Sequence, residues 1–229
     1  MVGHRGRVGE SHDGLHDRQG EGGRQHGGRD EAAGPLPLSS GLIVADTDRL
    51  VRFLLQANRL KSTTRTGWVQ RGVPKPESVA DHSHGVAMAA LLLAEVAAPD
   101  ADRAKILTMA VLHDLAEGVT GDLSLGASRL LPPGAKALAE AAAMDELGEG
   151  LDAFANWRGI WDEFEAGETP EAQLVRDADR LDLLTQALVY ERTTGNRELD
   201  EFWTFAPPES FRLPVSRSIA AALAARRPV

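Results

Sequence analysis

The side chains best suited to chemistry in this sequence lie where apolar helix residues would be expected. In "PESVADHSHG" (76–85), His82 shares the three-and-four spacing of the apolar residues on one helix face, so it points inward. In "AVLHDLAEG", His113 and Glu117 continue the apolar stripe of the next predicted helix, and Asp114 lies beside it. Either histidine alone would suit an ordinary hydrogen-bonded core position. Together with two carboxylates that need partners when buried, they indicate a divalent-cation site.

Such a site needs a further oxygen ligand, and the segment "PEAQLVRDADRLDLLTQALVYER" (170–192) offers three aspartates. Asp179 lies at four-residue spacing from an apolar residue on either side, so it faces the core. Asp177 is rotated away from that face and is expected to pair with solvent or an arginine. Asp182 follows Asp179 by three residues, and periodicity alone leaves both of them open as the ligand.

The elements that must position these residues are predicted to be helices throughout. No alternating apolar and polar run suggests a strand, and no internal repeat is visible, so the predicted class is all-α. The segment "GDLSLGASRLLPPG" (121–134) reads as a loop. Helices are predicted over about 46–62, 78–98, 102–119, 135–148, 151–166 and 170–193, with short helical pieces at 199–204 and 215–226.

Composition limits which sites and partners are compatible with the chain. The 229 residues include no cysteine, which excludes disulfides, thiolate metal sites and a cysteine nucleophile, so nitrogen and oxygen must hold any metal. The net charge of −9 argues against a nucleic acid polymer as the partner. The longest apolar run, "ALLLAEVAA", is too short to span a membrane. With no apolar leader at the amino terminus, a cytoplasmic location is expected.

Residues 1–41 differ in composition from the rest of the chain. They are rich in Gly, His and Arg and contain few large apolar residues, so they are predicted to be a disordered tail ahead of a folded domain at 42–229. Four of the seven histidines lie in this tail and are interpreted as solvated. The imidazole chemistry of the folded part therefore depends on His82, His84 and His113. His84 is rotated about 200° from His82 on the helix and is expected near the surface.

Three motifs, "ESVADH", "LHDLAEGVTGD" and "RDADRLD", together resemble the HD-domain metal-dependent phosphohydrolases, in particular their 5′-deoxynucleotidase branch. The upstream segment "RTGWVQRGVPKPESVADH" strengthens the resemblance, which covers roughly residues 47–196. It implies an HD-domain helical bundle that removes the 5′-phosphate from (deoxy)ribonucleoside monophosphates. It also implies one divalent ion, and Co, Mn, Fe, Ni or Zn would each suit histidine and carboxylate ligands. A homodimer is common in that family.

The resemblance also assigns roles to individual residues of this sequence. Glu117 matches the catalytic acid that protonates the departing 5′ oxygen, and Asp122 matches a second active-site carboxylate. Trp68 corresponds to the aromatic that lines the sugar site, although core packing is an alternative. Some members have an arginine directly before that tryptophan, whereas this chain has Gly67, so Arg65 and Arg71 are both candidates for binding the phosphate. The implied metal ligands are His82, His113, Asp114 and Asp179.

Two other functions remain open at this level. Some HD proteins hold two metals and act as oxygenases or cyclic-dinucleotide hydrolases, but three histidines outside the tail are few for such a site. A helical module could also bind nucleotides without turnover, although such degenerate sites usually lose a ligand or the acid. Metal content per chain and the activity of a Glu117→Ala variant would separate these alternatives.

Overall fold

Residues 47–228 are described by a computed structural model, and all of them belong to one compact unit. The predicted disordered tail at 1–41 lies outside these described residues. Within 47–228 there are helices and no strand, apart from one isolated bridge between Thr64 and Ser78, which confirms the all-α class. No helix in this part of the chain has the length and apolar character needed to cross a membrane.

The α-helices are α1 Thr47–Ala57, α2 Thr66–Gln70, α3 Val79–Ala97, α4 Arg103–Leu112, α5 Glu117–Thr120, α6 Leu125–Ser128, α7 Ala135–Gly148, α8 Phe154–Ala166, α9 Pro170–Thr194, α10 Asp200–Phe205 and α11 Pro214–Ala224. Two short 3₁₀ helices occupy Asn58–Lys61 and Pro208–Ser210. The predicted loop at 121–134 contains α6, and α2 was not predicted.

Helices α3 and α9, which carry residues of the site, each begin at a residue whose side chain caps the helix. At α3, the Ser78 hydroxyl accepts the backbone N–H of Asp81, whose carboxylate accepts the N–H of Ser78 in return, which forms a capping box. At α9, the Thr169 hydroxyl accepts the N–H of Ala172, and Pro170 occupies the first turn. His82 therefore lies in the first turn or two of α3, where the cap fixes its direction.

The predicted continuous helix at 102–119 is wrong at residues 113–116, where it is interrupted. Helix α4 ends at Leu112, and the chain turns through residues 113–116 before the short α5. The carbonyl of His113, which would accept the N–H of Glu117 in an α-helix, accepts the indole N–H of Trp161 at 3.2 Å. The N–H of Glu117 bonds instead to the carbonyl of Asp114 at 3.0 Å, and the tighter bonds change the directions of the side chains.

Helices α3, α4 and α9 form the centre of the fold. Helix α9 packs against α3, α4, α8, α10 and α11, so its inner face is almost entirely buried. The main core includes Val86, Leu93, Ile106, Met109 and Leu184, all at most 1% exposed. Because three helices meet there, polar side chains at one end of their shared interface can reach one another.

The structure tests the predicted positions of two further side chains, Asp177 and His84. The prediction that Asp177 faces solvent or an arginine is wrong: it is 1% exposed, and its carboxylate accepts the backbone N–H groups of Arg212 and Leu213 at 2.8–3.1 Å. These bonds hold the chain where it enters α11. His84 is exposed, as its rotation on α3 predicts.

Candidate metal centre

Four side chains from three parts of the chain meet at one end of the central helices. His82 comes from α3, His113 and Asp114 from the turn after α4, and Asp179 from α9. The Nε2 atoms of the two histidines are 3.4 Å apart. Asp179 Oδ1 lies 3.2 Å from Nε2 of His82, and Asp114 Oδ2 lies 3.2 Å from Nε2 of His113 and 3.6 Å from that of His82. The four residues that the resemblance implies as ligands are thus brought together.

Hydrogen bonds on the far side of each ring fix which nitrogen faces this cluster. Nδ1 of His113 is 2.8 Å from the carbonyl oxygen of Ala110, and Nδ1 of His82 is 2.7 Å from Oδ2 of Asp182. A carbonyl or an ionised carboxylate only accepts, so each Nδ1 carries a proton. With Nδ1 protonated, Nε2 is the nitrogen whose lone pair would bind a metal once its own proton is displaced.

The spacing of the donor atoms around the two histidine Nε2 atoms fits one small divalent cation. Metal–ligand distances of about 2.1 Å in an octahedron place neighbouring ligand atoms about 3.0 Å apart, and about 2.0 Å in a tetrahedron places them about 3.3 Å apart. The four separations that involve a histidine Nε2 run from 3.2 to 3.6 Å, and ligand atoms of His82, His113 and Asp179 all lie within 4.8 Å of one another. Two imidazole nitrogens with two carboxylate oxygens are ligands for a first-row transition ion or zinc, so the residues fit a metal.

The electrostatics of the cluster favour a bound positive charge. Burial and the neighbouring Arg65 lower the pKa of His82, but hydrogen bonds to Asp179 and Asp182 outweigh them and raise it to about 9. Burial would raise the pKa of Asp114, yet His113 and His82 hold it well below its usual range. The carboxylates therefore remain ionised and attract a cation to the space that the histidine nitrogens share.

Glu117 lies at the start of α5 and is only 3% exposed. Its Oε2 atom is buried and has no hydrogen-bond partner among residues 47–228. Burial, together with the charges of Asp114 and Asp122, raises the pKa of Glu117 to about 9. The side chain is therefore a neutral acid at physiological pH, with one buried oxygen that makes no hydrogen bond.

A cavity of about 330 Å³ adjoins the cluster, and Asp114, Glu117, Asp122 and Asp179 all line it. Arg65, also on its wall, donates from Nη1 to Asp114 Oδ2 at 3.2 Å. Asp122 accepts the backbone N–H of Thr66, which joins the loop after α5 to the start of α2. Glu117, Arg65 and two carboxylates of the cluster thus all border the same cavity.

The other two residues predicted to bind substrate, Arg71 and Trp68, line the same cavity but already bond to neighbouring side chains. Arg71 is partly exposed and pairs with Glu201. Trp68 is 1% exposed, and its indole N–H donates to Glu77 at 2.9 Å. Its ring packs 4.2 Å from that of Phe202 between centroids. Trp68 is therefore a buried part of the cavity wall, as core packing predicts, and has no free donor.

Sequence reasoning missed a second cavity beside the cluster, lined by both basic and acidic side chains. A second cavity, of about 660 Å³, shares Asp114, Asp179 and Lys136 with the first. Lys136, in the first turn of α7, pairs with Glu140 at 3.2 Å. The four-residue spacing of Lys136 and Glu140 favours a helix, but nothing in the sequence indicates that the pair faces the site. The other basic residues that line this cavity are Arg129, Arg176 and Arg180.

Comparisons with known proteins agree with this architecture. The model of the family described as "HD domain" matches residues 57–206. The 5′-deoxynucleotidase HDDC2 of Danio rerio is 32% identical, over 68% of this chain and 77% of that protein. The 5′-deoxynucleotidase HDDC2 of Dictyostelium discoideum is 32% identical over 77% of this chain and 97% of its own length. The crystal structure of the PH0347 protein from Pyrococcus horikoshii OT3 superposes with a TM-score of 0.64 at 38% identity, covering 77% and 97% of the two chains.

Proposed function

Because the chain belongs to the HD-domain family, we propose that it is a metal-dependent phosphohydrolase that removes the 5′-phosphate from nucleoside monophosphates, with deoxyribonucleotides as its main substrates. The observation that carries the proposal is the convergence of His82, His113, Asp114 and Asp179 beside a cavity lined by an arginine and a protonated glutamate. The names of the 5′-deoxynucleotidase relatives supply the substrate class.

The four converging side chains would hold one divalent ion. Two neutral imidazoles and two carboxylates balance a +2 charge, and an octahedral ion would keep about two positions for water and a phosphate oxygen. When bound, such an ion supplies an activated water as nucleophile and a positive charge that polarises the phosphoryl group. Phosphate monoesters hydrolyse so slowly in water that both contributions are required.

Arg65 is the better candidate for the phosphate. Its guanidinium lies 3.2 Å from Asp114, so a phosphate bound at the cluster would be within reach of its remaining donors. Asp114, Asp179 and Asp122 raise the pKa of Arg65 despite its burial, so it stays charged. Arg71 is more exposed, and its ion pair with Glu201 would have to break first.

Glu117 suits the role of general acid. In the metal-free protein its proton is held at neutral pH, and the residue lines the same cavity as Arg65 while its unpartnered Oε2 is buried. Delivery of that proton to the departing 5′ oxygen would release an alcohol instead of an alkoxide. Asp122 would orient a water or a sugar hydroxyl with the carboxylate oxygen that Thr66 does not use. Trp68 would limit the space for the sugar through its fixed position.

The two alternative functions are less well supported. A two-metal reaction needs additional ligands, and the third histidine of the described chain, His84, is exposed. A binding module without turnover would have no use for a buried acid that is held protonated beside the cluster. One metal per chain and measurable phosphate release are therefore expected.

The test is phosphate release by the protein loaded with Co²⁺ or Mn²⁺. We expect release from dAMP, much slower release from AMP, and none after chelation. His113→Ala should abolish both metal binding and turnover, whereas His84→Ala, the matched change on α3, should affect neither. Equal rates on dAMP and AMP would remove the sugar selectivity. Phosphate release that persists in chelator would refute the metal-dependent reaction.

A further inference from the structure

The far side of the His82 ring is held by a contact that the proposed reaction does not require. Asp182, one turn after Asp179 on α9, places Oδ2 at 2.7 Å from Nδ1 of His82. Two aspartates of α9 thus contact the two ring nitrogens of His82, since Asp179 lies 3.2 Å from Nε2. Asp182 is largely buried, with 16% of its side chain exposed. A carboxylate loses hydration when it is buried, and the contact with Nδ1 of His82 offsets that cost.

We infer that Asp182 is a positioning residue that sets the orientation and basicity of His82 for metal binding, and that Gly85 exists at its position to let Asp182 reach the ring. The inference rests on the proposed function, because it takes the cluster to be a metal site. A carboxylate that accepts the Nδ1–H of a ligating histidine fixes the tautomer and makes Nε2 a stronger donor.

Gly85 carries the second half of this inference. It lies one turn after His82 on α3, on the side that packs against α9. A Cβ atom built there would overlap Oδ1 of Asp182 and lie 2.6 Å from its Cγ. The carboxylate would have to move, and movement takes it away from the imidazole. An alanine at position 85 would otherwise favour the helix by about 1 kcal/mol, so the absence of a side chain needs a local reason.

One competing interpretation is that the same atoms form a second cation site. Ligand atoms of Glu77, His82 and Asp182 lie within 4.8 Å of one another. However, Oε1 of Glu77 already accepts the indole N–H of Trp68 at 2.9 Å, and Nδ1 of His82 is used by Asp182. A cation there would also take the proton that directs Nε2 of His82 towards the first cluster. The geometry therefore favours a hydrogen bond, and one metal per chain.

The experiment is a titration of the metal-free protein with Co²⁺, followed by its visible absorption and by competition with a chelator. We expect Asp182→Ala to weaken Co²⁺ binding by about 10- to 100-fold and to change the absorption spectrum. Asp182→Asn should recover part of the affinity, because its amide oxygen can still accept the Nδ1–H. Gly85→Ala alone should weaken binding by about 10-fold, and the double variant Gly85→Ala/Asp182→Ala should bind no worse than Asp182→Ala.

The control is Gly159→Ala in α8, where a Cβ would meet nothing within 4 Å. It makes the same helix substitution and should leave Co²⁺ affinity unchanged, and thermal unfolding in chelator reports whether each variant folds. Parent-like affinity and spectrum in Asp182→Ala and Gly85→Ala would overturn the inference, as would additive losses in the double variant or two Co²⁺ per parent chain. A parent that binds no Co²⁺ overturns this inference and the proposed metal site together. A parent that binds while the variants match it overturns the inference alone.

Discussion

Replacing Glu117 by glutamine should make the metal-free protein more stable and the loaded enzyme nearly inactive. The pKa of Glu117 is raised from 4.5 to about 9, so between these values the folded protein keeps a proton that the unfolded chain releases. Stability from this group is full below pH 4.5 and is lost as pH rises towards 9. At pH 7.5 the three units above 4.5, at 1.36 kcal/mol each, amount to about 4 kcal/mol.

Glutamine stays neutral at every pH, so Glu117→Gln should remove that loss. In urea unfolding with chelator present, the variant should be more stable than the parent by up to about 4 kcal/mol at pH 7.5 and by less than about 1 kcal/mol at pH 5. Phosphate release by the metal-loaded variant should fall by about 10²- to 10⁴-fold, because the proton donor is gone.

A matched control is Glu191→Gln, on α9. Glu191 is also buried, at 2% exposure, but it pairs with Arg227 and accepts the indole N–H of Trp203. This change removes a paired charge and should lower stability at pH 7.5 while leaving phosphate release unchanged. The reasoning is refuted if Glu117→Gln destabilises the protein as Glu191→Gln does, if its stability gain is equal at pH 5 and 7.5, or if it retains parent activity.

Four further substitutions test the roles of other residues. In steady-state assays, Arg65→Ala should lower kcat/KM by about 10- to 100-fold because the charged contact to phosphate is lost. Arg71→Ala should change kcat/KM by less than about 3-fold. Equal effects of the two changes would contradict the assignment of Arg65 to the phosphate. Trp68→Ala should cost about 3–5 kcal/mol in denaturant unfolding because it empties a buried aromatic position, and a loss below 1 kcal/mol would argue against the packing described. Asp177→Asn should lower stability by about 2 kcal/mol with unchanged Co²⁺ affinity, since its carboxylate holds the entry to α11, and a loss of affinity would place it in the site.

The parts of the fold that were predictable have their causes close by in the sequence. Helices α3 and α9 begin where Ser78 and Thr169 cap them, and periodicity correctly directs His82 inward. Asp179, predicted to face the core, keeps 34% of its side chain exposed and lines the cavity beside the cluster. The end of α4 was not predictable, because it depends on Trp161 taking the carbonyl of His113 from 48 residues away. No local pattern records that bond.

The candidate site shows the same division. Periodicity left Asp179 and Asp182 open, and the structure gives them different contacts, one to Nε2 and the other to Nδ1 of His82. Asp177 was placed wrongly because its partners, the N–H groups of residues 212–213, belong to a distant segment. The proximity of Arg65 to Asp114 likewise arises from tertiary packing across 49 residues.

The most direct test of the central claim is anomalous diffraction at the cobalt edge from crystals of the Co²⁺-loaded protein. We expect one peak per chain, about 2.0–2.2 Å from Nε2 of His82, Nε2 of His113 and one carboxylate oxygen each of Asp114 and Asp179. A peak at another position, or no peak near these four side chains at saturating Co²⁺, would contradict the account.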